Sequence, residues 1–285
     1  MPEPVHTFRH EAMATFFEIH LSGGDPAYAR QAAQAAFAAV DRVERLLSRF
    51  LEASEVSQIN RLDAGDVVQV SPEVLDCLEQ ALRLQELTRG AFDPALGEPG
   101  AARGRLLLDR EALLVGREGG PVSLDLGAIG KGFALDLAAG ELDDWDLRRA
   151  LLVGGGSSLL ARDGPDPQSE KGWEIALGGV LPPRRLFLRN NALGSSGTAV
   201  KGEHIIDPHT GLPVPAGYRT WAVSASAADA DALSTAWMVL PKEEVRAICA
   251  ANPGIAAIVQ ATDGSESLWE TGLAACGNLK LEDAN

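Results

Sequence analysis

The sequence predicts a single α+β domain in which helices cover a mixed or antiparallel sheet. Strand-like runs are interspersed with pairs of amphipathic helices and do not alternate regularly with single helices, which argues against a doubly wound parallel sheet. Near the C-terminus, residues 254–261 and 267–270 flank Asp263 and Gly264 and predict a hairpin. The chain has 285 residues, of which 46% are hydrophobic, and this is enough for one large core. We therefore expect one domain over residues 10–275.

The first part of the chain predicts one strand and two long helices. Residues 11–21 are predicted as the strand, and Asp25 followed by Pro26 predicts the start of the first helix. Apolar residues recur at intervals of three or four along the buried face of that helix: Ala33, Phe37, Val40, Val43 and Leu47. Residues 71–73 predict the start of the second helix, and Gly90 predicts its end.

The rest of the chain predicts short strands separated by further helices. The strands are expected at residues 106–108, 113–115, 122–126, 150–153, 173–177, 184–188 and 220–225. Residues 173–177 and 184–188 are expected to continue the sheet that contains residues 150–153. Helices are expected at residues 130–142, around Asp231 and at residues 241–252. The polar segment 162–172 is expected to be an exposed loop that joins two strands of one sheet.

The net charge of the chain is −15, from 40 acidic and 25 basic residues. Such a field repels nucleic acid and anionic membrane surfaces, so we expect no nucleic-acid partner. An anionic dinucleotide would need local help from a cation, from Lys131 and from backbone amides. These groups act at short range, whereas salt screens the diffuse field of the net charge over about 8 Å.

Cysteine usage and the N-terminus bear on the compartment. The three cysteines, Cys77, Cys249 and Cys276, show no paired spacing and are expected to be reduced core thiols. Residues 1–10 contain no apolar signal segment and no cysteine for lipidation, and no run is long enough to span a membrane. The sequence as it stands predicts a cytoplasmic protein, or a periplasmic one if a leader has been removed.

Asp231 and Thr235 are four residues apart on a predicted helix, which places a carboxylate and a hydroxyl on the same face. Oxygen ligands at this spacing suit a hard cation, although a solvated helix face has the same pattern. The neighbouring residues make the helix mostly apolar: Ala228, Ala230, Ala232, Ala236 and Trp237. An unpaired carboxylate is costly to bury in such a helix, and a cation would remove that cost.

Residues 123–132 predict a buried strand that runs into a glycine-rich turn and then a helix, with Lys131 at the start of the helix. Glycines let the backbone approach a ligand, and a helix N-terminus offers free N–H groups and a positive dipole to a phosphate. The run is neither a Walker motif nor a Rossmann motif, so a strand, turn and helix without a ligand is the alternative.

His204 is the strongest candidate for a general base. It precedes the apolar and turn-forming residues 205–208, whereas His6, His10 and His20 lie outside any motif. An imidazole titrates near neutral pH and can take a proton from an attacking hydroxyl. A structural histidine beside a strand is the alternative interpretation.

Together with residues 90–94 (Gly-Ala-Phe-Asp-Pro) and 204–211 (His-Ile-Ile-Asp-Pro-His-Thr-Gly), these runs resemble the FAD:protein FMN transferases, or ApbE-type flavin transferases. The resemblance spans roughly residues 10–270. It implies a single α+β domain of the ApbE-type fold. It also implies Mg²⁺-dependent transfer of FMN from FAD to a threonine or serine hydroxyl of an acceptor protein, with release of AMP.

The resemblance further implies roles for individual residues. The Mg²⁺ ligands would be the Ala128 carbonyl, Asp231 and Thr235. The residues that contact FAD would be Ala91, Phe92, Asp93, Asp125, Lys131, Ser196 and Ile206. Met13 and Phe50 would flank the isoalloxazine ring, although Phe50 also suits an ordinary core position. His204 would activate the acceptor hydroxyl, and Asp231 would join it as the second catalytic residue.

The chain departs from the family pattern near the expected mouth of the active site. Residues 155–157 read Gly-Gly-Ser where the family usually has Gly-Gly-Asp. The segment between Gly197 and His204 is shorter than usual, and the stretch after the Phe-Asp-Pro run is reduced to residues 97–105. These departures bear on acceptor recognition more than on flavin binding. Two alternatives follow: an Mg²⁺-dependent FAD hydrolase that gives FMN and AMP, and a flavin-binding protein without catalysis.

Overall fold

A large antiparallel sheet forms the centre of the structure. The computed structural model describes residues 3–95, 104–178, 183–197, 205–261, 268–277 and 279–284. The strands of the sheet are, in spatial order, β1 (Val5–Ala12), β2 (Thr15–Ser22), β6 (Ala150–Gly154), β7 (Ser158–Ala161), β10 (Asn191–Gly197), β11 (Tyr218–Ser224), β12 (Ala256–Ala261) and β13 (Leu268–Thr271). Every neighbouring pair is antiparallel, so the predicted α+β class is confirmed.

Two small antiparallel sheets accompany the large one. The first contains β14 (Glu282–Asp283), β9 (Arg184–Leu188) and β8 (Trp173–Leu177), in that order. The second contains β3 (Val67–Gln69), β5 (Leu114–Gly119) and β4 (Gly104–Asp109). The expectation that residues 173–177 and 184–188 continue the main sheet is therefore wrong. Their buried residues alternate with more exposed ones, so β8 and β9 present one apolar face, which packs against the main sheet instead of extending its edge.

Six α-helices lie within the described residues: α1 (Pro26–Leu47), α2 (Glu55–Asn60), α3 (Pro72–Leu87), α4 (Gly130–Asp144), α5 (Ala227–Ala236) and α6 (Lys242–Ala251). The predicted starts of α1 and α3 are confirmed. The Asp25 carboxylate accepts hydrogen bonds from the N–H groups of Ala27 and Tyr28, and Ser71 accepts one from the N–H of Val74. None of these helices is both long and apolar enough to cross a membrane.

Two predicted strands differ in the structure. Residues 11–21 do not form one strand, because Met13 and Ala14 adopt left-handed φ angles of 52° and 55° and form the turn between β1 and β2. Residues 122–126 do not form a strand at all. The Asn60 side chain donates to the Leu124 carbonyl and accepts from the Leu124 N–H, and so replaces a partner strand at this point.

Two connections were also predicted. The segment 162–172 joins β7 of the main sheet to β8 of a small sheet, so the expectation that it links strands of one sheet is wrong. The expected C-terminal hairpin is present as the β12 and β13 pair. Its predicted turn residues, Asp263 and Gly264, lie outside the described residues.

The main sheet separates two hydrophobic cores. Helices α1, α3, α4 and α5 cover one face and enclose the first core, which includes Leu78, Leu135 and Leu233. The sheet that contains β8 and β9 covers the other face and encloses the second core. Residues that are neighbours in a strand divide between the cores, as Ala222 and Trp221 do on β11. Cys77 and Cys249 are buried in the first core and Cys276 in the second, all as free thiols, as predicted.

Helix α5 lies unusually close to both α4 and β10. A Cβ placed on Gly132 of α4 would come within 2.0 Å of the Ala227 carbonyl oxygen, and one placed on Gly194 of β10 would come within 2.1 Å of the Ala230 carbonyl oxygen. Backbone therefore packs directly against backbone on two sides of α5. This packing fixes the place of Asp231 and Thr235, which α5 carries.

We expect Gly132→Ala to lower the free energy of unfolding by about 1–3 kcal/mol, because the new methyl group overlaps the backbone of Ala227. Gly140→Ala in the same helix is the matched control, since a Cβ there meets no atom within 4 Å. It should raise stability by about 0.5–1 kcal/mol through helix propensity. Urea denaturation of the two variants measures both effects. Equal stability of Gly132→Ala and the parent would show that α4 and α5 are not in backbone contact.

Candidate active site

A cleft of about 640 Å³ opens where the start of α4 meets the end of β10 and the turn between β6 and β7. Most of the residues that the sequence assigned to a site line this cleft: Ala91, Phe92, Asp93, Asp125, Ala128, Lys131, Ser196, Ile206 and Thr235. Met13, Phe50 and Asp231 do not line it. His204 lies outside the described residues, so its role as a base stays a prediction.

Asp231 lies directly behind the cleft wall and is only 4% exposed. The Ser158 hydroxyl donates to Oδ1 at 2.5 Å, and the Gly132 N–H donates to Oδ2 at 2.8 Å. The Lys131 ammonium lies 3.4 Å from Oδ2. The interpretation of Asp231 as part of a solvated helix face is therefore wrong, and the expected burial is confirmed.

The environment of Asp231 sets two opposing effects on its carboxyl group. Burial raises the pKa above its ordinary value, while Lys131, Ser158 and the Gly132 N–H oppose that rise by favouring the charged form. Among the described residues, Lys131 is the cation nearest to this carboxylate, and its side chain is 25% exposed to the cleft. The Lys131 side chain therefore contacts the buried Asp231 carboxylate and also lines the cleft.

The start of α4 leaves polar backbone atoms available beside the cleft. Its N-cap residue, Ile129, provides no capping side chain. The Gly132 N–H points to Asp231 instead of returning to the Ala128 carbonyl, and that carbonyl accepts no hydrogen bond from any described residue. A carbonyl oxygen without a hydrogen bond and a buried carboxylate are oxygen ligands of the kind that a hard cation prefers.

Asp136 is a functional candidate that the sequence reasoning missed. It lies on α4 and caps the start of α5: its carboxylate accepts from the N–H groups of Ala227 and Ala228, at 2.8 and 2.9 Å, and from the Ser226 hydroxyl at 2.8 Å. Asp231 does the reverse, because it lies on α5 and caps the start of α4. The signal in the sequence was an aspartate whose nearest helix neighbours are apolar, as it was for Asp231.

Thr235 is positioned by hydroxyl contacts with the end of β10. Its Oγ1 lies 3.2 Å from the Ser196 hydroxyl, which also lies 2.9 Å from the Ser234 hydroxyl. Thr235 also reaches the Asp231 carbonyl at 3.4 Å, one turn back along α5. Ser196 and Thr235, which were predicted separately as an FAD contact and a metal ligand, therefore lie together in the cleft wall.

Phe50 and Met13 lie outside the cleft lining in different ways. Phe50 is 82% exposed, so its interpretation as a core residue is wrong. The Arg49 guanidinium lies 4.6 Å from the Phe50 ring centre. The Nε atom of Arg49 is 3.1 Å from the carboxylate of Asp125, which lies in the cleft wall. Phe50 is thus linked to the cleft through one ion pair. Met13 is half-buried in the turn between β1 and β2 and packs against the first core.

Comparison with known proteins identifies the family. The model of the ApbE family matches residues 13–259 of this chain. The chain belongs to the ApbE family. A Rhodobacter capsulatus protein named FAD:protein FMN transferase is 31% identical over 252 residues, which cover 73% of this chain and 46% of that protein, so the match spans about half of its length. A Vibrio cholerae protein of the same name is 27% identical over 264 residues, covering 76% of each chain.

Solved ApbE structures share the fold. The apo flavinyl transferase ApbE of Pseudomonas stutzeri aligns with a TM-score of 0.77 at 22% identity, over 94% of both chains. The flavin transferase ApbE of Vibrio cholerae aligns with a TM-score of 0.79 at 20% identity, over 96% of this chain and 99% of that one. The predicted ApbE-type fold is therefore confirmed.

Two further cleft residues stand out within this ApbE protein. Ser157 follows Gly155 and Gly156, whose positive φ angles of 60° and 70° turn the chain into the cleft. Arg219 also lines the cleft, and its guanidinium donates to the Gly178 carbonyl and lies 6.0 Å from the Trp221 ring centre. Only the serine was noted in the sequence, because Arg219 belongs to no motif.

We expect Ser158→Ala to lower the free energy of unfolding by about 1–3 kcal/mol, because it leaves Oδ1 of the buried Asp231 carboxylate without its donor. The adjacent Ser157→Ala is the control. Among the described residues, the Ser157 hydroxyl reaches only the Ser158 hydroxyl, at 3.5 Å, so the effect should stay within about 0.5 kcal/mol. Thermal or urea unfolding checks both values. Similar losses for the two variants would contradict the importance of the contact between Ser158 and Asp231.

Proposed function

We propose that this ApbE protein transfers FMN from FAD to a threonine or serine hydroxyl of an acceptor protein and releases AMP. The observation that carries the proposal is the cleft at the start of α4, which is lined by Lys131 and Ala128 with its open carbonyl and has the buried Asp231 carboxylate directly behind its wall. The names of the Rhodobacter and Vibrio relatives support the same activity. The proposed partners are FAD and the acceptor protein.

The charges of the cleft suit the diphosphate of FAD. The start of α4 contributes its positive dipole, and Lys131 contributes a full charge at the same place. We assign the adenosine half to the wall formed by Ala91, Phe92 and Asp93. Phe50 would flank the isoalloxazine ring. The 82% exposure of Phe50 supports this, since its phenyl ring is open to a partner. Met13 is assigned to the other side of the ring.

The donor set at α4 and α5 fits Mg²⁺. The Ala128 carbonyl accepts no hydrogen bond from the described residues, the Thr235 hydroxyl lines the cleft, and Asp231 is a buried carboxylate. In the described part of the chain, no three His, Cys, Asp or Glu side chains form a metal cluster, so this mixed oxygen set is the candidate. When bound, Mg²⁺ would neutralise charge on the diphosphate.

In the proposed reaction, the acceptor hydroxyl oxygen attacks the phosphorus of the FMN half of FAD. The new O–P bond forms as the bond from this phosphorus to the bridging oxygen breaks, and AMP leaves with that oxygen. The proton of the hydroxyl passes to a base, for which His204 is the candidate. Lys131 and the start of α4 hold the diphosphate in place while the bond changes occur.

The test is to incubate the purified protein with FAD and Mg²⁺, with and without a candidate acceptor domain, and to measure AMP and bound flavin. We expect AMP in proportion to flavinylated acceptor, and little AMP without acceptor. AMP formed at the same rate without acceptor would identify a hydrolase. FAD binding without any AMP would identify a flavin-binding protein and overturn the proposed transfer.

We expect Asp231→Asn to weaken Mg²⁺ binding and slow the reaction, because the side chain keeps its size but loses the charge that a hard cation needs. The loss of affinity should reach at least the roughly 10- to 100-fold that removal of an outer-shell partner costs. Asp229→Asn is the control, since Asp229 lies on the same helix but bonds to Gln80 and Arg83. Calorimetric Mg²⁺ titration in the presence of FAD measures the change. Parent-like affinity in Asp231→Asn would place the metal elsewhere.

We expect His204→Asn to reduce the transfer rate by about 10²–10⁴ with little change in FAD affinity, because asparagine cannot act as a general base. His209→Asn is the matched control in the same run: the backbone N–H of His209 bonds to Asp207, and its exposed side chain is outside the cleft lining. Single-turnover kinetics with the acceptor separate the two. A larger effect at His209 would move the role of base to that residue, and loss of FAD binding in His204→Asn would indicate a structural role.

A further inference from the structure

The contacts of Asp136 are all directed at one element. Its carboxylate accepts from the Ala227 N–H, the Ala228 N–H and the Ser226 hydroxyl, all at the start of α5. No described lysine or arginine pairs with it, and the neighbouring charge that acts on it is the like charge of Asp229. The start of α5 is therefore what compensates this largely buried carboxylate.

Asp231 lies on α5, so its position follows that of the helix. Asp231 lies three residues after Ala228, so about 4.5 Å of helix axis separates the capped start from the carboxylate. Because α5 is in backbone contact with Gly132 on one side and Gly194 on the other, a shift of its start is not absorbed by flexible side chains. The place of Asp231 against Gly132 therefore depends on the place of the α5 start.

We propose that Asp136 is a positioning residue of the active site, which holds α5 so that Asp231 stays against Gly132 and Lys131 at the start of α4. This goes beyond the proposed function and, for its effect on metal binding, rests on it. The two aspartates form a closed pair of contacts, in which each helix carries the carboxylate that caps the other. Neither Asp136 nor any of its described hydrogen-bond partners lines the cleft, so it acts through α5 and not on a ligand.

The alternative is a purely local cap, in which Asp136 stabilises the first turn of α5 and nothing else. The two interpretations differ at Gly132, whose N–H is bonded to Asp231 and not to Asp136. Amide hydrogen exchange can follow that N–H without any metal, substrate or acceptor. The same sample reports on the N–H groups of Ala227 and Ala228, which contact Asp136 directly.

The experiment compares Asp136→Asn with the parent and with Asp143→Asn. Asp143 lies in the last turn of α4 and pairs with Arg148 and Arg162, far along the helix from the α5 start, so it controls for the loss of any α4 carboxylate. We expect exchange at Gly132 to increase about tenfold or more in Asp136→Asn and to stay unchanged in Asp143→Asn. Mn²⁺ binding in the presence of FAD, followed by electron paramagnetic resonance, should weaken in Asp136→Asn and not in the control.

Faster exchange at residues 227 and 228 alone, with Gly132 and Mn²⁺ affinity unchanged, would overturn the proposal and leave a local cap. If Gly132 exchange rises but the parent itself binds no Mn²⁺, the positioning of Asp231 stands and the metal site of the proposed function fails. If Asp136→Asn does not fold, Asp136→Glu decides by the same two readings, because it keeps the charge but moves the carboxylate from its place against the Ala227 and Ala228 N–H groups.

Discussion

The mutual capping of α4 and α5 is the interaction on which the candidate site depends. Helix α4 begins without a capping side chain of its own and α5 begins with Ser226, and each helix also supplies a buried or largely buried carboxylate to the start of the other. A good N-cap is worth about 0.5–2 kcal/mol, but a buried carboxylate without partners costs more than that. The arrangement is stable because each of these hydrogen bonds satisfies a free N–H group at a helix start and also compensates a carboxylate for its burial.

This constraint explains why the cleft is assembled from distant parts of the chain. The turn between β6 and β7, the end of β10 and the start of α4 each contribute backbone to its wall. Gly132 and Gly194 allow α5 to approach two of these elements, so Thr235 and Ser196 meet across a short distance. A bulkier residue at either glycine would separate the hydroxyl wall from the helix start where Lys131 lies.

The sequence predicted local features well and long-range ones poorly. Helix starts at Asp25 and Ser71 follow from capping chemistry, which needs only neighbouring residues. The assignment of β8 and β9 to a separate sheet could not be predicted, since a strand pattern shows which face is apolar but not which sheet it joins. Most of the residues that motif resemblance assigned to the site line the cleft. The partners of Asp231 were not identified, because Ser158 and Gly132 lie 73 and 99 residues away in the chain.

The charges that line the cleft are arranged around the start of α4, where the two helices cap each other. An acidic protein with a net charge of −15 does not attract an anionic dinucleotide by its overall field. Within the described cleft lining, two acidic residues, Asp93 and Asp125, face two basic ones, Lys131 and Arg219. Asp125 is paired with Arg49, and Asp93 accepts hydrogen bonds from the Gln85 side chain and the Ala95 N–H, so both carboxylates are compensated by the protein. Lys131 lies 3.4 Å from Asp231, and because an ammonium has three N–H donors it can also bond the phosphate that we propose for the cleft. The proposed binding of an anion therefore depends on the few donors around the start of α4, and these donors keep their places because α4 and α5 cap each other.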